Sequence, residues 1–202
     1  FRYFSLSVRT ECCAVRFTLK NFLCRHLEQL HDVTRPDFRI RQDVDRQPGG
    51  DAEFFRNKCA GCHAGLDALA GAFAYYNFAN GGLEYTEGKV QKKYTNNVLF
   101  KEGYVTTDDA WMNLWIKGQN TSVGWEGAEN GKGAKEYGAM PTNTAAFGEC
   151  MATQVYQKVC MNDALSAEGK ADIAQLASEF KASGYLMKDL FSATAQVCFG
   201  KK

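Results

Sequence analysis

Cys59-Ala60-Gly61-Cys62-His63 sets two thiols three residues apart and puts an imidazole directly after the second. Each thiol can bond one of the two vinyl groups of a porphyrin. The histidine then lies beneath the iron, where a ring nitrogen can bind it. The pattern occurs once in the 202-residue chain, so it implies one covalent haem c. Two other chemistries use a Cys-x-x-Cys pair. A structural zinc wants two further Cys or His ligands, ideally as a second close pair, and none is so spaced. A thioredoxin-like dithiol should follow a buried strand and open a helix, whereas the residues before Cys59 read as helix. Covalent haem is the reading that uses all five residues.

The group on the opposite face of the iron decides the chemistry. A thioether favours ferrous iron and raises the potential relative to a second imidazole. Of the five methionines, Met140 stands out: Pro141 follows it and a glycine-rich stretch, residues 118–138, precedes it. It is expected on a loop that turns its side chain inward. Met112, Met151 and Met187 fall in predicted helices and read as core filler, and Met161 has no supporting context. His26 and His31 are the two histidines outside the motif. His26 lies on the apolar face of its helix and His31 just past the helix end. Either is the fallback for Met140, giving a bis-histidine haem of lower potential, and an open sixth position is the third arrangement. Trp111, Trp115, Tyr75 and Tyr76 read first as core aromatics, and second as donors to a haem propionate.

The flanks carry a family resemblance. Gly50-Asp51-Ala52-Glu53-Phe54-Phe55-Arg56-Asn57-Lys58 runs into Cys59, with Asp51 able to cap a short helix. Gly138-Ala139-Met140-Pro141 and the helical pattern from Leu165 to Leu176 follow. In these three landmarks the chain resembles the class I cytochromes c, where a short helix leads into the haem motif. A Met-Pro loop there crosses the opposite haem face, and a closing helix packs across the first. The resemblance covers residues 50–185. The chain departs from it in a longer stretch between His63 and Met140, an inserted helix at 145–161, and a preceding segment. Residues 180–191 more weakly resemble the C-terminal part of large bacterial haem-motif proteins of unknown function.

The resemblance implies a mainly α fold: a cytochrome c-like helical core around one haem, with extra N-terminal and inserted helices. Residues 1–48 would be a helical extension and residues 49–202 the haem domain. It implies haem c on Cys59 and Cys62, with His63 and Met140 as axial ligands. It also implies an electron carrier, rather than a catalyst, that serves redox protein partners. Because c-type haem is attached outside the bacterial cytoplasm, the expected setting is periplasmic or extracellular. A haem subunit of a larger or polymeric assembly stays open as an alternative, as does a haem sensor or enzyme with an open sixth position. A homo- or hetero-oligomer is compatible with each.

Eight cysteines are many for a reducing cytosol. Beyond the motif stand Cys12, Cys13, Cys24, Cys150, Cys160 and Cys198, and six cysteines allow fifteen complete pairings. On one helix, Cys13 and Cys24 would be ~16 Å apart, too far to bond. The same argument separates Cys150 from Cys160. The working expectation joins the N-terminal helix to Cys150 and Cys160 to Cys198. Charge is nearly balanced, 24 basic against 23 acidic residues, so nothing points to nucleic acid or an anionic membrane surface. No run approaches the ~20 apolar residues of a spanning helix. The chain opens on Phe1 rather than methionine, as a mature or incomplete sequence would.

The positioning elements read as mainly helical. Val15, Leu19, Phe22, Leu23, His26, Leu27 and Leu30 recur at helical spacing, giving a helix over 14–30. Residues 35–46 read as a charged connector and 64–76 as a short helix. Asn80-Gly81-Gly82 marks a turn, with a small hairpin expected over 83–94. Thr107 is expected to cap a helix carrying Asp108 and Asp109 in its first turn. Helices are predicted again at 145–161, 167–182 and 186–197.

Overall fold

A computed structural model describes residues 6–25, 65–66, 68–91, 106–116, 121 and 125–200. The first helix, α1, spans Leu6–Phe22. Residues 65–66 and 68–70 are helical and run into a 3₁₀ turn, Gly71–Phe73. Two short antiparallel pairs follow: β1 Tyr76–Ala79 with β2 Gly82–Tyr85, and β3 Ala110–Met112 with β4 Asn130–Lys132. Four helices close the order: α2 Gly133–Thr142, α3 Ala145–Val159, α4 Ala167–Ala182 and α5 Met187–Gly200. The fold is mainly α.

The last three helices lie where their periodicity places them, and their starts are capped. Thr144 accepts the Phe147 N–H at 3.1 Å and Ser166 accepts the Gly169 N–H at 3.0 Å. Each satisfies one of the amide donors that a helix start leaves unpaired. Val155, Tyr156, Leu176, Phe180 and Leu190 form their common core. Phe147 bridges this core to the one ahead of it in sequence, meeting Phe180 and Tyr185 at ring-centroid distances of 6.3 and 5.1 Å.

Two cysteine pairs stand at disulfide distance, each with Cα atoms 5.3 Å apart: Cys24–Cys150 and Cys160–Cys198. These are the two joins anticipated from the sequence. The first ties the end of α1 to α3, the second the end of α3 to α5. Gln154 reinforces the first join by donating to the Asn21 carbonyl at 2.8 Å.

Four boundaries differ from expectation. The N-terminal helix starts earlier and stops at Phe22, not at residue 30, because Cys24 takes a left-handed backbone (φ 51°) that no helix continues. Of the expected apolar stripe, Val15, Leu19 and Leu23 are buried and Phe22 is exposed, while His26, Leu27 and Leu30 lie outside the described residues. The hairpin lies over 76–85, not 83–94, since Asn80 and Gly81 both have positive φ (52° and 80°) and themselves form the two-residue loop. Thr107 caps no helix. Asp108 instead accepts the Ala110 N–H at 3.0 Å and leads into strand β3. The glycine-rich segment is not all loop: β4 and most of α2 lie within it.

Candidate functional site

Cys59, Cys62 and His63 lie outside the described residues, as do both fallback ligands, His26 and His31. Met140 is described, and its placement corrects one expectation. It sits in helix α2 rather than on a loop. Pro141, which with the glycines before Met140 suggested a loop, is the ninth of ten helical residues. Near a C-terminus its missing N–H removes a single hydrogen bond, and the chain turns out immediately afterwards. The Asn143 N–H reaches the Met140 carbonyl at 3.2 Å and the Thr144 N–H reaches that of Pro141 at 3.1 Å.

Helix α2 is held at its start by its neighbours. Gly133, at φ 65°, makes the corner between β4 and the helix, and its N–H donates to the Asp109 carbonyl at 2.9 Å. Glu136 folds back to accept the Lys132 N–H at 2.7 Å, and the Trp111 indole donates to the Gly133 carbonyl at 3.2 Å. Trp111 stands opposite Gly131 in the β3–β4 pair, where a Cβ would collide with the indole. Asp108 pairs with Lys132 at 3.0 Å, and the Ala110 N–H followed by this ammonium holds its carboxyl below the usual range.

The far end of α2 is buried. Met140 is 2% exposed, and its sulfur accepts from the Asn113 side-chain amide at 3.4 Å. Asn113, itself fully buried, accepts the Trp115 N–H at 3.1 Å and donates its own N–H to the Glu129 carbonyl at 2.7 Å. Trp115 lies 4.8 Å from Trp125, ring centre to ring centre. On its other side Trp115 packs so closely on Gly65 that a Cβ there would overlap the ring. Leu66, Leu69, Trp111, Trp115, Trp125, Tyr137 and Met140 thus share one core with Val15 and Leu19 of α1 and with Leu23 just after it.

Among the described residues, two buried polar atoms in this region have no hydrogen-bond partner, Trp125 Nε1 and Thr106 Oγ1, and the Tyr137 hydroxyl has only Thr18 beside it. Tyr137 lies beside Thr18, whose own hydroxyl donates to the Ala14 carbonyl at 3.0 Å. Burial pushes the Tyr137 phenol well above its ordinary pKa, and Thr18 offsets that only in part. Of the two tryptophans expected to offer an N–H, Trp111 and Trp115, the first has committed its own to Gly133; the indole without a partner among the described residues is that of Trp125, which was not one of the two.

A half-open cavity of about 480 Å³ lies beside this core, lined by Ala68, Gly71, Trp111, Gly131, Lys132 and Glu136 among others. Met140 does not line it; the cavity flanks the start of α2 while the thioether sits near its end. Sequence reasoning passed over Asn113 and Tyr137 as members of the methionine's surroundings. Tyr137 and Met140 stand three apart and would have paired on one face had 133–142 been read as helix. Asn113 carries no local signal, because its partners are 16 to 27 positions away except for Trp115. Set against family models, curated proteins and solved structures, the chain gives no match in any of the three.

Proposed function

We propose that this chain is a single-haem c-type cytochrome that passes electrons between redox protein partners outside the cytoplasm. In this reading Cys59 and Cys62 hold haem c covalently, His63 takes one axial position and Met140 the other. The observation that carries it is the company Met140 keeps. Its buried thioether shares a core with Leu66 and Leu69, and three residues of chain keep His63 within roughly 11 Å of Leu66.

The surroundings fit a planar macrocycle bearing carboxylates. Trp125 is a buried donor with nothing to bond among the described residues, at a cost that an acceptor would relieve. A thioether sulfur has two lone pairs; Asn113 takes one and orients the other. When bound, haem supplies a one-electron ferric–ferrous couple. The aromatic wall of Trp111, Trp115 and Trp125 excludes water, which favours the less charged iron state. The two cysteine pairs support an oxidising compartment.

A pyridine haemochrome assay on protein expressed with haem-attachment machinery should give one covalent haem per chain. The ferric form should show the weak red charge-transfer band of methionine–iron ligation. Met140→Leu conserves side-chain volume, so the fold should survive at a cost below about 1.5 kcal/mol while the band disappears. A haem-free product would refute the reading outright. A band that persists in Met140→Leu would refute the ligand assignment alone, and rapid carbon monoxide binding by the unsubstituted protein would point to an open sixth position.

A further inference from the structure

The β1–β2 hairpin exposes apolar side chains that a two-stranded unit has no need to expose. Leu83 is 61% and Tyr85 56% accessible, on a strand whose four residues all face solvent. Isolated exposed hydrophobics are ordinary, but these continue inward as a file of rings. Tyr85 meets its cross-strand partner Tyr76 in a tilted contact at 4.9 Å, Tyr76 meets Phe73 at 6.2 Å, and Phe73 meets Tyr137 at 5.3 Å. Tyr137 is one helical turn from Met140. Around the exposed end stand Glu84, Glu87 and Asp109 against Lys89 and Lys132 among the described residues, and Lys132 is paired with Asp108 at 3.0 Å, which leaves an excess of negative charge.

We propose that the Leu83–Tyr85 face of the hairpin is a docking surface for a redox protein that presents an apolar patch with a basic rim. The rings of Tyr85, Tyr76, Phe73 and Tyr137 join that surface to the Met140 core. This rests on the electron-carrier reading. The exchange is of one electron: ferrous iron becomes ferric, the partner's centre is reduced, no bond or proton moves, and the rings stay closed-shell. Apolar rings make a contact that can be dehydrated at little cost, and the carboxylates steer a cationic partner to it.

The test uses tris(1,10-phenanthroline)cobalt(III), an aromatic, cationic, one-electron oxidant that copies the chemistry of such a partner. Its oxidation of the reduced protein should be saturable and should weaken as salt rises. Tyr85→Ala and Leu83→Ala should each slow it by roughly tenfold, the effect of losing one moderate interface anchor. Oxidation by anionic ferricyanide and the haem spectrum should stay unchanged. A second readout needs no turnover: the same diamagnetic complex, titrated into the oxidised protein, should shift amide resonances of residues 82–87. Equal rates in haem-loaded wild type and variants, or shifts elsewhere, would overturn the docking face and leave the carrier reading intact. Absence of haem would instead defeat the carrier reading. Concentration-dependent dimerisation abolished by Tyr85→Ala would assign the face to a second copy of the chain and overturn the proposal.

Discussion

Removing the Cys24–Cys150 pair should lower stability more than removing Cys160–Cys198, because it frees a longer loop. The first pair closes a separation of 126 residues and the second one of 38. In the chain-entropy account, a cross-link restricts the unfolded chain by an amount that grows with the logarithm of loop length. At 25 °C this comes to about 5 kcal/mol for the longer loop and about 4 kcal/mol for the shorter. The two loops do not overlap, so the losses should add. The native contacts that the long link reinforces survive without it. Val15, Leu19 and Leu23 keep α1 in the core, each worth roughly 1.5–3 kcal/mol of burial, and Gln154 still bonds the Asn21 carbonyl. Cys24→Ala/Cys150→Ala should therefore fold with an unchanged far-ultraviolet spectrum but unfold at lower urea.

Urea titration of this double variant, of Cys160→Ala/Cys198→Ala and of the quadruple variant gives the comparison directly, with equal slopes required for it to count. A loss of about 5 kcal/mol corresponds to a melting point lower by roughly 10–20 °C in a chain of this size. If the long-loop variant loses less than the short-loop one, loop closure is not what these links contribute. If it loses its helical spectrum, the link holds α1 in place and the burial argument is wrong.

Four further outcomes follow from single residues. Thr144→Ala should cost about 1–2 kcal/mol in urea unfolding, since its buried hydroxyl both accepts the Phe147 N–H and donates to the Pro141 carbonyl at 2.6 Å. Gly65→Ala should destabilise by about 1–3 kcal/mol and shift tryptophan emission, because a Cβ there displaces Trp115. Gly138→Ala, which meets nothing on α2, should instead stabilise by up to about 1 kcal/mol. Tyr137 should make the fold fail at alkaline pH. Its folded pKa is raised by burial, so its contribution is intact below the unfolded value of about 10 and is lost as pH rises beyond it. Phenolate absorbance and unfolding should then appear together above that pH, and Tyr137→Phe should move the unfolding midpoint upward.

The C-terminal helices were legible because local signals agree there: Thr144 and Ser166 cap where the apolar period begins. The segment from Thr106 to Thr142 was not, and the reason is physical. Strands of three residues are too short to display an alternation, and what makes them strands is each other: Trp111 needs the bare Gly131 opposite it. Glycines that look like loop from the sequence are here the clearance for an indole and the corner before α2. Asp108 was read as a first-turn helix acid, but its partner Lys132 is 24 positions away. For the cysteines, elimination removed only Cys13–Cys24 and Cys150–Cys160; the joins to Cys150 and Cys198 were a working expectation among the pairings left, and the two pairs at disulfide distance agree with it.

The misplaced loop bears on the chemistry. A methionine on a glycine-rich loop would follow its iron through a change of charge. One on α2 has less freedom, because Asp109, Glu136 and Trp111 fix the helix start and Asn113 fixes the sulfur itself. Sites carried on helices are held more precisely than sites on loops. An electron carrier gains from that, since the less its ligands move between the ferric and ferrous states, the smaller the barrier to exchange. A sensor or enzyme would need the opposite, a sixth ligand that yields to an incoming molecule. Under the proposed function, a Met140 ligand carried on this helix is the arrangement a carrier would use. It also locates the discriminating residue. Asn113→Leu would release the sulfur without touching the thioether, and should raise the rate of carbon monoxide binding if restraint is what keeps the site closed.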